Sequence, residues 1–315
     1  MTSISATKIE PTAVRSGFIA LTRSRQQRIK RVIQYGVLLL WSLFMLFPIY
    51  WTFASSLKTP VDVFAMPPKW LFRPTLHNYA VVFGLTIPTE LEGMTEAMEG
   101  TGQSQFPRYL LNTVVISAGS TLLSLLLGCT AAYTLARAQL RARRAIMTGV
   151  LITRLIPPIV TLVPIYVLWR NLDLLNSYLG MILAFLIFNL PFTIWMMHSF
   201  FIELPVELEE AALVDGCSRT QALIRIVLPL AAPGLAATAV FLVLGAWNEF
   251  LFASVLGGGD AQMLAPSILS YITDKAILWG RLYAASSVIL VPVLILTFLV
   301  QRFMGKGLIG GALKG

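Results

Sequence analysis

The chain has 315 residues, of which 57% are hydrophobic and only 12% charged, and its mean hydropathy is +0.76. Soluble domains run near 25% charged, so a soluble domain is excluded and an all-α integral membrane protein is expected. The net charge of +9 sits largely in two basic clusters beside apolar runs, Arg23 to Arg31 and Arg137 to Arg144. There it reads as membrane anchoring, and no nucleic-acid motif accompanies it.

Six spanning helices can be drawn in chain order: Ile33–Phe53, Leu110–Arg137, Ile146–Trp169, Tyr178–His198, Pro233–Val255 and Leu282–Phe303. At 1.5 Å per residue, about 21 residues reach about 31 Å, enough for the hydrocarbon core. The first apolar run is too long for a signal-peptide core and lacks a small-residue cleavage site. Residues 1–32, 138–145, 199–232 and 304–315 carry fourteen Lys and Arg, whereas 54–109, 170–177 and 256–281 carry seven. The positive-inside rule therefore places both termini and the 199–232 loop in the cytoplasm. The organisation expected is a basic segment (1–32), a first span with a long periplasmic loop (33–109), a transmembrane core (110–303) and a tail (304–315).

The periplasmic loop is rich in Gly, Thr and Glu between Leu85 and Gln105, with Glu90, Glu92, Glu96 and Glu99. It reads as a solvated loop or as a contact surface for an external partner. Gly257-Gly258-Gly259-Asp260 is a turn signal on the same side. The two cysteines, Cys129 and Cys217, suggest neither a disulfide framework nor a metal site.

The 199–232 loop is the most informative segment. Pro205 suits the first turn of a helix, and Glu207, Glu209 and Glu210 favour its dipole. Gly216 suits a left-handed stop. Ser218 with Gln221 reads as a capping box opening a second helix, on which Ala222, Leu223, Ile226, Val227 and Leu230 share one face. Ala211 and Ala212 are small enough for another backbone to approach. The loop reads equally as a docking surface or as an amphipathic hairpin lying on the membrane.

Polar residues within the spans mark further candidates. Arg154 precedes Pro157-Pro158 and Pro164, and a charge at that depth must face protein or water. It reads as a substrate donor, or as a structural group paired with Glu249 or reaching an interface. Asn248 and Glu249 lie toward the outer end of the fifth span. Asn189 and Pro191 break the fourth span near its middle. His198 and His77 read as structural, and neither a Ser–His–Asp set nor a carboxylate pair stands out.

Glu210-Ala211-Ala212-x-x-Asp215-Gly216, followed by Ile226 and Leu228-Pro229, resembles the EAA loop of binding-protein-dependent ABC importer permeases. Cys217 stands where that family usually has Ala. Ser56-x-Lys58 with Phe64, Pro67-Pro68 and Asn78-Tyr79 resembles the carbohydrate subfamily, as do Asn112-Thr113 and Trp247-Asn248-Glu249-Phe250. The chain is most similar to the maltose-type "G" subunit, although its Leu85–Gln105 stretch is longer than usual there.

The resemblance implies a type I ABC importer permease (MetI-like) fold with six transmembrane helices, in the inner membrane and in contact with its lipid. It implies carbohydrate uptake by alternating access. The implied partners are a second homologous permease subunit, two ATPase subunits and an extracytoplasmic sugar-binding protein, with no nucleic acid. Glu210, Ala211, Ala212, Asp215, Gly216, Arg219 and Pro229 would couple to the ATPase, Glu210 and Asp215 as polar contacts and Gly216 as the turn. The chain lacks G-x-x-x-x-G-K-[ST], so ATP and Mg would be bound by the ATPase partners, not by this chain. An ion-coupled secondary transporter is the alternative. It would need intramembrane acids, and Glu249 alone offers one.

Overall fold

The computed structural model describes residues 12–85, 104–274 and 276–312, with side chains from residue 28 to residue 301 over the same segments. The expected acidic stretch Glu90 to Glu99 lies outside them. The chain divides into two units, residues 1–54 and 55–315.

The first unit is essentially one helix, α1 (Thr12–Ser56), whose last two residues enter the second unit. It starts well before the apolar run drawn from Ile33, because the intervening Arg, Lys, Gln and Ile are sound helix formers with no Pro among them. From Arg28 it is long and apolar enough to cross a membrane. Its apolar side chains are exposed almost throughout, as lipid contact allows.

The second unit opens with two short helices, α2 (Pro60–Val63) and α3 (His77–Val82). Buried Asn78 on α3 donates to the carbonyls of Ser56 and Lys58 at 2.9 and 2.8 Å. The Tyr79 hydroxyl lies 2.8 Å from those of both Ser56 and Ser287. The separated parts of the Ser56-x-Lys58 and Asn78-Tyr79 motif are thus partners in space.

Helix α4 (Phe106–Arg137) opens with Pro107 in its first turn, where no N–H is needed. Its buried face is made of small and hydroxylic residues, among them Ser117, Thr121, Ser124, Gly128 and Ala132. A side chain on Gly128 would meet Thr193 at 2.5 Å, so this face brings α4 close to α7 (Tyr178–Glu203). Without a hydrophobic drive between helices in lipid, such close packing is what holds spans together. On this face the Ser124 hydroxyl donates to the Ser120 carbonyl at 2.6 Å, whereas those of Ser117 and Thr121 are buried with no partner among the described residues. At the Phe106 end, Asn112 donates to the carbonyls of Asp260 and Gln262, both at 2.8 Å. There Gly259 has φ of +52°, the left-handed turn that the glycine run announces.

Two of the six drawn spans are not continuous. The third is α5 (Arg143–Thr153) followed by α6 (Pro158–Asn171), bent by 91°. Pro158 cannot donate to the Arg154 carbonyl and would clash with it, and Pro157 before it is held extended at ψ 131°. The fifth ends early. After α8 (Glu207–Val214) comes α9 (Arg219–Ala222), which runs through a π turn, Leu223–Val227, into α10 (Leu228–Leu230). The chain then bends by 80° into α11 (Ala232–Trp247). It breaks again at Asn248–Phe250 and resumes as α12 (Leu251–Leu256). By contrast α7 stays one helix through Asn189 and Pro191. Short α13 (Leu264–Ser267) leads to α14 (Trp279–Ala312), which completes the fold. Among the described residues, four helices are long and apolar enough to span a membrane, or up to six if each bent pair is one span. No named β-strand occurs among the described residues.

Candidate functional site

The helix–turn–helix of residues 205–230 forms much as its residues predict. Helix α8 begins at Glu207, so Pro205 lies just before the helix rather than inside its first turn. Gly216 has φ of +90°. Its N–H donates to the Leu213 carbonyl at 3.1 Å and that of Cys217 to Ala212 at 2.9 Å, the pair of bonds of a Schellman stop. Ser218 and Gln221 form the reciprocal capping box, at 2.8 and 3.3 Å.

The second helix differs in one respect. Ala222, Leu223 and Val227 are buried, but Leu230 is 47% exposed and Ala231 is buried in its place. The π turn inserts one residue, so the inward face moves from 226 and 230 to 227 and 231. Pro229 supplies the reason, because a regular α-turn would press its ring against the Arg225 carbonyl. Leu223, Val227 and Ala231 join Tyr133, Met197 and Phe201 in one apolar cluster, which seats the loop on the Arg137 end of α4 and on α7.

Of the residues expected to couple, Glu210, Ala211, Asp215, Gly216, Arg219 and Pro229 are exposed, whereas Ala212 is buried at 5% exposure. Beside the acidic groups, Leu208 and Val214 are also exposed, Val214 at 87%. Neighbouring Glu209 points inward. It accepts from the Tyr133 hydroxyl at 3.0 Å and from Arg137 Nε at 2.6 Å. The spacing of Glu209 and Ala212, one turn apart on α8, is the sequence signal for an inward face. Nothing local marks Arg137 and Tyr133 as its partners.

A cavity of about 530 Å³ lies among α6, α7 and α11. It brings together three of the four polar span residues, Arg154, Asn189 and Glu249. Arg154 stands in the break before α6, donates to the Phe188 carbonyl at 3.3 Å and lies over the Phe192 ring at 5.1 Å. It forms no ion pair with Glu249, whose carboxylate instead accepts from the Phe252 N–H at 3.1 Å and caps α12. The Asn189 amide nitrogen is buried with no partner among the described residues. Asn248 stands apart: its amide donates to the Leu244 carbonyl at 2.8 Å, and it does not line the cavity. Aromatic faces with a few convergent polar groups are the usual makeup of a small-molecule pocket. The Arg154 guanidinium beside Phe188, Phe192 and Phe241 suits a hydroxylated ligand with an apolar face.

Bent and broken apolar spans around a largely apolar cavity with a few polar groups, and an exposed acidic helix–turn–helix, fit the membrane subunit of a transporter. Residues 124–309 match the family described as binding-protein-dependent transport system inner membrane component, and the chain belongs to that family. It is 34% identical over 283 residues to the probable ABC transporter permease protein y4oR of Sinorhizobium fredii, covering 88% of this chain and 95% of that one. It is 33% identical to the diacetylchitobiose uptake system permease protein DasC of Streptomyces coelicolor, over 86% of this chain and 92% of that one. It is 30% identical to the trehalose/maltose transport system permease protein MalG of Thermococcus litoralis, over 92% and 99% respectively. Among solved structures, a chain of a bacterial ABC transporter that imports the acidic polysaccharide alginate matches with a TM-score of 0.67 and 22% identity. The match covers 88% of this chain and 97% of that one. The fold is accordingly the MetI-like fold of ABC importer permeases.

Proposed function

We propose that this permease takes up a carbohydrate delivered by an extracytoplasmic binding protein, working as one half of a heterodimeric pore. Two ATPase subunits bind ATP and Mg, and their closure drives alternating access. The loop of residues 199–232 faces the cytoplasm with both termini, the basic segment 1–32 anchors that side, and the core 110–303 forms the path. The names borne by the relatives DasC and MalG support a sugar as cargo. The observation that carries the coupling role is the exposed face of α8. Val214, Glu210 and Asp215 all stand in water beside a left-handed Gly216, and an apolar patch rimmed by charge is the mark of a docking surface. Glu210 and Asp215 then meet polar groups of the ATPase, with Ala211, Arg219 and Pro229 at the same interface and Ala212 packing behind it. In the cavity, Arg154 offers donors to sugar hydroxyls, with Asn189 in the lining beside it. Glu249 caps α12, a structural role that needs no coupling ion.

The test is affinity purification of the tagged chain from its native membrane in mild detergent, followed by reconstitution. The expected result is a second permease and an ATPase in the eluate, and ATP-dependent uptake of a labelled di- or oligosaccharide. Recovery of the chain alone, with uptake that follows an ion gradient and ignores ATP, would overturn the proposal.

A further inference from the structure

Glu209 and Glu210 are adjacent in sequence and opposite in environment: Glu210 is exposed and Glu209 is 6% exposed. A carboxylate is buried at high cost unless it is paired and hydrogen-bonded. Glu209 meets that demand through α4 alone. Arg137 places Nε and Nη2 each 2.6 Å from Oε1, and the Tyr133 hydroxyl donates to Oε2 at 3.0 Å. These two residues sit one helical turn apart, so both carboxylate oxygens are gripped from a single helix face. Arg137 Nη2 also donates to the Leu204 carbonyl at 3.1 Å, at the end of α7. The Tyr133 ring stands edge-on to Phe201 of α7, with centroids 6.2 Å apart at 89°. One guanidinium therefore ties together the last turn of α4, the end of α7 and the body of α8.

We propose that Arg137 and Tyr133 are positioning residues, which hold α8 through Glu209 at one rotation about its axis. Force applied at Glu210 and Asp215 is thereby passed to the α4–α7 pair. This rests on the reading of α8 as the ATPase-docking helix. Helix α8 has only eight residues, far below the length at which a helix holds itself in water. Its apolar seat through Ala212 is small and would let it roll. A grip on both carboxylate oxygens is directional and stops rotation. A buried ion pair adds little net stability over a well-packed apolar replacement, and its best-attested use is to fix an arrangement.

That asymmetry gives the test. Removing one partner leaves a buried charge unpaired and harms folding, so the decisive variant removes both charges: Arg137→Met with Glu209→Met. Tyr133→Phe, which loosens one oxygen only, is the milder companion. Amide exchange is followed first on the purified full chain in nanodiscs. Exchange in residues 207–214 should quicken about tenfold in the double variant while the rest of the chain keeps its protection, as expected of a small unit released from its anchor. In the assembled complex with ATP and vanadate, the nucleotide-dependent change in exchange along α4 and α7 should shrink about threefold with the ATPase still bound.

Unchanged exchange at 207–214 in the double variant overturns the clamp. Faster exchange there with an undiminished nucleotide response along α4 and α7 overturns its role in transmission. A wild-type chain that binds no ATPase removes the docking reading instead, and the exchange of 207–214 still decides whether Glu209 anchors the helix.

Discussion

At the scale of single residues, environment separates side chains that look alike in the sequence. Three glutamates open α8, yet only Glu209 turns inward to Arg137 and Tyr133. Arg154 lies in the cavity with no ion-pair partner among the described residues and its guanidinium over Phe192. Arg154→Ala should lower uptake in reconstituted vesicles about tenfold or more while protein yield and ATPase assembly hold, since one lost hydrogen bond to a charged group costs about 1.5–3 kcal/mol. Loss of folded protein in that variant would assign Arg154 a structural role instead. Gly216 offers a cleaner case. A Cβ there meets nothing within 4 Å, so only the backbone objects to substitution. Gly216→Ala should weaken ATPase binding by about 1 kcal/mol, the cost of left-handed backbone for an L-residue. Gly216→Pro should abolish binding, because its φ is fixed near −65° and the bond to Leu213 is lost. Equal binding by all three chains would dismiss the left-handed turn as a requirement.

At the scale of elements, local chemistry sets the caps, and Pro157-Pro158 sets the break between α5 and α6, whereas α7 runs on through Pro191. The capping box of Ser218 and Gln221 is local in full, and Ser218→Ala should cost about 1 kcal/mol of helix stability. The check is faster amide exchange confined to residues 218–224. The α4–α7 pair depends on absent side chains. Gly128→Val would force branched carbon into Thr193, and overpacking of this kind costs about 1–3 kcal/mol. A fall in the thermal midpoint of the purified chain is the expected reading, with Gly36→Val in α1, where a Cβ meets nothing within 4 Å, as the control. The π turn at Leu223–Val227 shows how one proline rewrites a face. Pro229 was visible, but its effect on which neighbours turn inward depended on how the turn yielded.

At the scale of the molecule, the chain shows two separate surfaces, the cavity and the 205–230 helix–turn–helix. The cavity has donors and aromatic faces, and the loop has charge and exposed apolar side chains. Coupling between them would travel through α4 and α7, which extend from the Phe106 end to the clamp at Arg137. Vesicles carrying the permease pair without ATPase subunits should therefore show no ATP-dependent uptake, and adding the purified ATPase should restore it. Uptake driven by ATP in the absence of any ATPase subunit would contradict this division of labour.

Membrane class, number of apolar runs, the Gly216 stop and the Ser218 capping box were all legible in the sequence, because each depends on composition or on residues within one turn of each other. The Ser56-x-Lys58 and Asn78-Tyr79 motif was legible as a pattern, but its meaning, one half hydrogen-bonded to the other, required the fold. Tertiary structure alone supplied Arg137 and Tyr133 as the partners of Glu209, and decided that Arg154 and Asn189 share a cavity with Glu249 while Asn248 is left out. Hydropathy reports whether a residue tolerates lipid and is blind to backbone direction. Partners more than 70 residues apart, as Arg137 and Glu209 are, leave no periodic trace in a single chain. Only the packing of α4, α7 and α8 brings such charges within 2.6 Å of each other.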